Sequence, residues 1–198
     1  MVYYSDNRIT IRNMEPSDVA AIVAEEVAQG WEGVTTEKYE MRLRHQAEGR
    51  VVALIAECHE NDRSNIAGYV NVYRTAPGGA FRNKGVPEIK DFGVLIKYRN
   101  RGIGTKLMDV AEQIAAEYSD TVCIGVGLHS GYGSAQRMYV KRGYIPDGSG
   151  VWFRDSVCRE YEDCCNDDDL VLWFSKKLSE RVGALRHVTG NQDKRIDR

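Results

Sequence analysis

The sequence predicts a mixed α/β domain: one mostly antiparallel sheet of about seven strands, with a central parallel pair and helices on both faces. Three observations predict it. The elements read in the order βααβββαβαββ, so helices and strands interleave along the chain. Residues 121–128 are almost continuously apolar, as expected of a strand buried on both faces. Residues 89–96, a helix, and residues 121–128 form a strand–crossover–strand unit, which makes those two strands parallel neighbours.

The elements follow in order. Ile9 and Ile11 alternate within 8–13 and give a first strand. Glu15-Pro16-Ser17-Asp18 opens a helix, with proline tolerated in its first turn and acids favoured there. That helix runs to about Ala28, where Gln29-Gly30-Trp31-Glu32-Gly33 stops it. Thr35 or Thr36 caps a second helix that continues to about Glu48. Residues 51–58 and 66–73 form a hairpin around the polar turn 61–65. Residues 76–87, rich in glycine and proline, form a loop. The fourth strand is 89–96. In 103–118, Ile103, Leu107, Val110, Ala111, Ile114, Ala115 and Tyr118 make one helical stripe. Residues 121–128 are the fifth strand and 132–142 a short helix. Residues 144–145 and 151–153 flank a glycine turn, and 170–174 make the last strand. There is no internal repeat. Residues 1–178 form the domain, and 179–198 a polar tail, frayed or acting as a lid.

Composition sets the limits. The chain has 198 residues, 42% apolar and 28% charged, with net charge −2. That gives no general case for nucleic-acid binding. No apolar stretch approaches a membrane span, and the N-terminus lacks a secretion signal, so the expected location is the cytoplasm. The five cysteines contain no C-x-x-C pair, and Cys164-Cys165 has no histidine near it in sequence, so no metal is expected. Cys58 and Cys123 read as buried strand residues.

The chemistry concentrates in Arg99-Asn100-Arg101-Gly102-Ile103-Gly104, between a strand and a helix. A helix N-terminus offers unpaired N–H groups and the positive end of its dipole. Two glycines let the backbone approach an anion, and two arginines match phosphate oxygens. Leu107 breaks a G-x-G-x-x-G fingerprint, and no G-K-[ST] follows. What remains is R-x-x-G-x-G, a phosphate grip or a solvated turn capping a helix.

These residues resemble the pyrophosphate loop [RQ]-x-x-G-x-[GA] of the GNAT superfamily of N-acetyltransferases. A second family element, Asn-x-x-Ala-x-x-x-Tyr before a Gly-aromatic pair, is matched by Ala135, Tyr139 and Gly143-Tyr144, with Tyr132 in place of the asparagine. The resemblance implies acetyl-CoA as co-substrate. Its arm would run along Val94-Leu95-Ile96, and its pyrophosphate would rest on Arg99, Asn100, Arg101, Gly102, Ile103, Gly104 and Thr105. A backbone N–H near Val94 would supply the oxyanion donor. Tyr139 would be the acid toward sulfur. Asp91 is the favoured base, with Glu88 as the other carboxylate on that strand and His129 as runner-up. Gly93 suggests a bulge or a close backbone approach, and a bulge here would splay the fourth and fifth strands.

Acceptor residues are expected from the loop between the first two helices, with Trp31 and Glu32, from His129, and from the acidic stretch 155–169, which suits a cationic amine. The implied reaction is direct attack by a small cationic amine. Acetylation of a protein lysine or N-terminus, a CoA-binding regulator without turnover, and a nucleotide-binding protein of another family stay open. No nucleic acid, membrane or metal is expected as a partner, and a homodimer stays open.

Overall fold

The computed structural model describes residues 1–61 and 63–178. The expected tail at 179–198 lies outside them. The elements are β1 (Val2–Ser5), β2 (Ile9–Asn13), α1 (Asp18–Ala28), α2 (Glu37–Ala47), β3 (Val51–Glu60), β4 (Arg63–Tyr73), β5 (Glu88–Val94), α3 (Ile103–Ala115), β6 (Thr121–Gly127), α4 (Gly133–Lys141), β7 (Ile145–Phe153), β8 (Ser156–Val157) and β9 (Leu170–Lys177). One nine-stranded sheet has the order β1-β2-β3-β4-β5-β6-β9-β7-β8. All pairs are antiparallel except β5–β6.

The strand count exceeds the expected seven by β1 and β8, both at sheet edges. β1 leaves Val2 and Ser5 exposed and shows no apolar alternation to read. Residues 145–153 are one irregular strand rather than two short ones. No described helix is long and apolar enough to cross a membrane.

Helices cover both faces. The apolar stripe of α3 buries Ile103, Leu107 and Ile114 against Leu54, Val70, Val72 and Ile124. Leu107 is fully buried, so truncating it to alanine costs about 2–5 kcal/mol. On the other face Val19 and Ile22 of α1 and Tyr39 of α2 pack on Ala53, Ile55 and Tyr69. A smaller cluster of Ala76, Phe81, Cys123 and Trp173 lies under the connection from β4 to β5.

The sheet opens at its middle. β5 and β6 share one register pair among the described residues, Glu88 with Cys123, where the Cys123 N–H donates to the Pro87 carbonyl at 2.9 Å. β6 then stays zipped to β9 over seven pairs, and β5 stays with β4. A wedge-shaped slot follows between the C-terminal halves of β5 and β6.

A bulge bends β5 beside this slot. Tyr69 faces Gly93 and Asn71 faces Lys90, so Asp91 and Phe92 together oppose Val70. The left-handed residue of the bulge is Asp91, with φ 53°. Gly93 serves the close approach the sequence allowed: a Cβ there would lie 3.0 Å from the Tyr69 ring. β5 also ends at Val94, earlier than expected, and residues Ile96–Tyr98 form a 3₁₀ turn.

Candidate active site

The R-x-x-G-x-G turn sits at the mouth of the slot. Gly102 takes φ +81° at the N-cap of α3, a conformation a side chain would strain. No side chain caps the helix, so its first-turn N–H groups remain available to an anion. Arg99 Nε donates to the Val94 carbonyl at 3.1 Å. Arg101 pairs with Glu60 and lies over the Tyr98 ring at 5.3 Å. Both arginines therefore border the turn while holding protein partners.

The expected arm-binding run divides by backbone direction. Leu95 donates its N–H to Ala67 at 2.9 Å and buries its side chain, so it belongs to the β4 side. Alternation along the strand turns the Val94 N–H and carbonyl toward the slot. Ile96 is 49% exposed rather than packed in the core. Its N–H donates to Gln29 Oε1 at 2.9 Å. Gln29 thus ties the α1–α2 connection to the slot edge. Trp31 and Glu32, the expected acceptor residues, follow Gln29 in this connection and make no side-chain hydrogen bond among the described residues.

Tyr139 lies on the α3–α4 face. Its ring meets Phe92 of β5 edge-on at 6.5 Å and Tyr144 at 5.8 Å. Burial pushes its phenol up, with the neighbouring Tyr132 adding to the effect, so the proton stays on at neutral pH. Tyr132 occupies the junction of β6 and α4 and donates to Asp168 at 3.0 Å. Burial first, and then Asp168, pushes its phenol up to about 12. His129 shares this anchor. Its Nδ1 accepts from the Gly131 N–H at 3.1 Å, which leaves the proton on Nε2 for Asp168 at 3.0 Å. Both ring nitrogens are engaged, which removes the basis for His129 as a base.

The carboxylates stand on the opposite face, toward α2. Asp91 Oδ2 accepts from Arg42 Nη2 at 2.9 Å, from Arg42 Nε at 3.2 Å and from Asn71 Nδ2 at 3.0 Å. Glu88 is 2% exposed, and its Oε2 has no hydrogen-bond partner. Burial pushes Glu88 up to about 7; Lys90 pulls it down and Asp91 pushes it further up. Asp155, in the turn between β7 and β8, accepts from the Gly79 N–H and pairs with Arg82. This contact closes the β4–β5 connection over the Phe81–Trp173 cluster.

The acetyltransferase (GNAT) family model matches residues 19–144. The chain belongs to the GNAT family.

Solved GNAT structures share its fold. A ribosomal-protein-alanine N-acetyltransferase from Brucella melitensis is 17% identical, with TM-score 0.57 over 85% of this chain and 99% of that one. The putative acetyltransferase yncA from Salmonella typhimurium, solved with acetyl-CoA, is 18% identical, with TM-score 0.59 over 89% and 98%. Ard1 from Thermoplasma volcanium is 17% identical, with TM-score 0.59 over 87% and 99%. No curated protein matches the chain.

The GNAT match encloses the R-x-x-G-x-G turn, the bulged β5 and Tyr139, and it leaves the acidic stretch 155–169 outside. Within this GNAT domain Arg42 and Asn71 were missed by sequence reasoning, while Gln29 falls in the expected acceptor loop 29–34 and bonds the slot edge. Arg42 is a polar residue in an amphipathic helix, and only tertiary packing distinguishes it from a solvated face. Among the described residues no group of three His, Cys, Asp or Glu side chains is placed to hold a metal ion.

Proposed function

We propose that this GNAT enzyme moves the acetyl group of acetyl-CoA to the primary amine of a small cationic molecule by direct attack. One observation carries the reading: a protonated phenol and a buried carboxylate stand on opposite faces of the sheet beside one slot. Tyr139 packs on Phe92 from the α4 side, and Glu88 lies on the α2 side. Direct transfer uses two separate proton-handling groups, because the amine adds over one face of the thioester carbonyl and loses a proton there, while the sulfur leaves along another bond of the tetrahedral intermediate and gains one.

The residues present fit acetyl-CoA. The uncapped start of α3, with a left-handed Gly102 and open space where its Cβ would stand, suits a pyrophosphate. The slot-facing edge at Val94 suits a peptide-like arm. Acetyl-CoA would supply an activated acetyl thioester. Val94 N–H would donate to the carbonyl oxygen as it gains charge. Glu88, at about 7, would take the amine's proton through water in the slot, since it lies six residues before Val94 on the same strand. Tyr139 would give its proton to the departing sulfur. We assign the base to Glu88 rather than Asp91, because Asp91 spends one oxygen on Arg42 and Asn71.

The acidic stretch 155–169 favours a cationic acceptor through its field. The test is release of free thiol from acetyl-CoA, screened over free amines and lysine-bearing or free-N-terminal peptides. Small diamines are expected to lead. Turnover confined to peptides would move the acceptor to proteins, and acetyl-CoA binding without turnover would leave a regulator.

A further inference from the structure

The left-handed bulge residue Asp91 presents one committed oxygen and one free one. Its Oδ2 takes all three bonds from Arg42 and Asn71. Its Oδ1 takes none among the described residues, and the side chain is 33% exposed toward the α2 side of the slot. Arg42 is 5% exposed behind it, held over the rings of Tyr39 and Tyr69 at 4.7 and 5.4 Å. The guanidinium fixes the carboxylate through Nε and Nη2, while its Nη1 is buried without a partner.

Two further acceptor oxygens lie nearby on the same face. Asn71 is 1% exposed and gives its Nδ2 to Asp91, while its Oδ1 is buried without a partner. Glu88 Oε2 is likewise buried and unpartnered. Asn71 and Lys90 are one register pair and Tyr73 and Glu88 the next, which places both oxygens on the strip of β4 and β5 that ends at Asp91. Buried oxygens left open in this way mark a ligand or an ordered water. Lys90 shares the strip; its Nζ lies 3.7 Å from Glu88 Oε1 and is largely in solvent.

We propose that Asp91 Oδ1 and Asn71 Oδ1 clamp the ammonium group of the acceptor, so that Asp91 sets specificity for amines without an anionic group on the amine-bearing carbon. This rests on the transferase reading above. An ammonium has three N–H donors: two suit this pair of oxygens, and the third, passed through water to Glu88, leaves a lone pair free for the thioester carbon. A carboxylate on the same carbon would meet the oxygens of Asp91, Asn71 and Glu88, against one open donor, Arg42 Nη1.

The test compares n-propylamine with 2-aminobutyrate, the same chain carrying a carboxylate on that carbon, in acetyl-CoA-dependent thiol release. The melting shift with acetyl-CoA is measured in parallel. Asp91→Asn and Asp91→Gly are the variants, since both residues tolerate a positive φ. The expected result is turnover of n-propylamine over 2-aminobutyrate, and an amine KM raised about tenfold or more in both variants with kcat within about twofold. KM for acetyl-CoA and its melting shift should not move. A fall in kcat at unchanged amine KM, an unchanged KM and kcat, or turnover of 2-aminobutyrate in preference overturns the clamp. So does failure of the parent protein to use either amine while acetyl-CoA still raises its melting temperature. Loss of that melting shift in the parent overturns the transferase reading instead.

Discussion

Glu88 stands opposite Cys123 at the point where β5 and β6 part. The carboxylate is thus buried at the apex of the slot, away from the solvent that would otherwise keep it ionised. The folded state holds its proton more tightly than the unfolded chain, at about 7 against an ordinary 4.5. Its contribution to stability is therefore full below pH 4.5 and lost as pH rises through 7, by about 3 kcal/mol. Glu88→Gln should remove that decline. Urea unfolding at about pH 5 and about pH 8 measures it, and the variant should gain on the parent at the higher pH.

Tyr139→Phe should separate packing from proton transfer. The edge contacts with Phe92 and Tyr144 need only the ring. Melting temperature and the acetyl-CoA shift should hold, while kcat falls about 100-fold or more if the phenol protonates the departing sulfur.

The phosphate turn should report binding alone. Saturating acetyl-CoA should raise the melting temperature. Arg101→Glu combined with Gly104→Asp should abolish the rise, because the first reverses a charge at the turn and the second forces a carboxylate against Phe92 and Val94, where a Cβ alone would already lie 3.1 and 3.4 Å away. The same double change sets a glutamate against Glu60, so the variant's own melting temperature must be recorded beside it.

Arg142 fastens α4, and with it Tyr139, to α3. Its Nη2 reaches Asp109 at 2.8 Å and its Nε reaches Glu112 at 2.9 Å, while Lys176 holds the other Glu112 oxygen at 2.8 Å. Burial pushes Glu112 up, but the bonds from Arg142 and Lys176 together outweigh it and hold the carboxyl below its ordinary value. Stability from this group is present above the ordinary carboxyl range and lost as pH falls beneath it. Arg142→Met should cost about 2–4 kcal/mol near neutral pH, and it should flatten the acid side of the stability curve.

Local signals were legible in the sequence. The α3 stripe, the glycine turn before it and the Ala135–Tyr139 spacing each sit within a few residues and reappear in the structure, except that α3 ends at Ala115 and leaves Tyr118 of the expected stripe exposed. Long-range devices were not. A glycine in an apolar strand pointed to a bulge or a close approach at Gly93, and the left-handed bulge residue is Asp91, held by Arg42 from 49 residues away. Arg42 belongs to a helix of polar composition and reads as solvated until Tyr39 and Tyr69 enclose it. The loop 29–34 was legible as an acceptor segment, but that its bond to the slot edge comes from Gln29 was not. Edge strands such as β1 carry too little buried alternation to be read at all.

The most direct test of the site is the pH dependence of kcat/KM for amine acetylation, compared between the parent protein and Glu88→Gln. The parent rate should rise through a transition near pH 7, where Glu88 gives up its proton. In the variant that transition should vanish and kcat should collapse. A transition of unchanged position and size in Glu88→Gln would contradict the account.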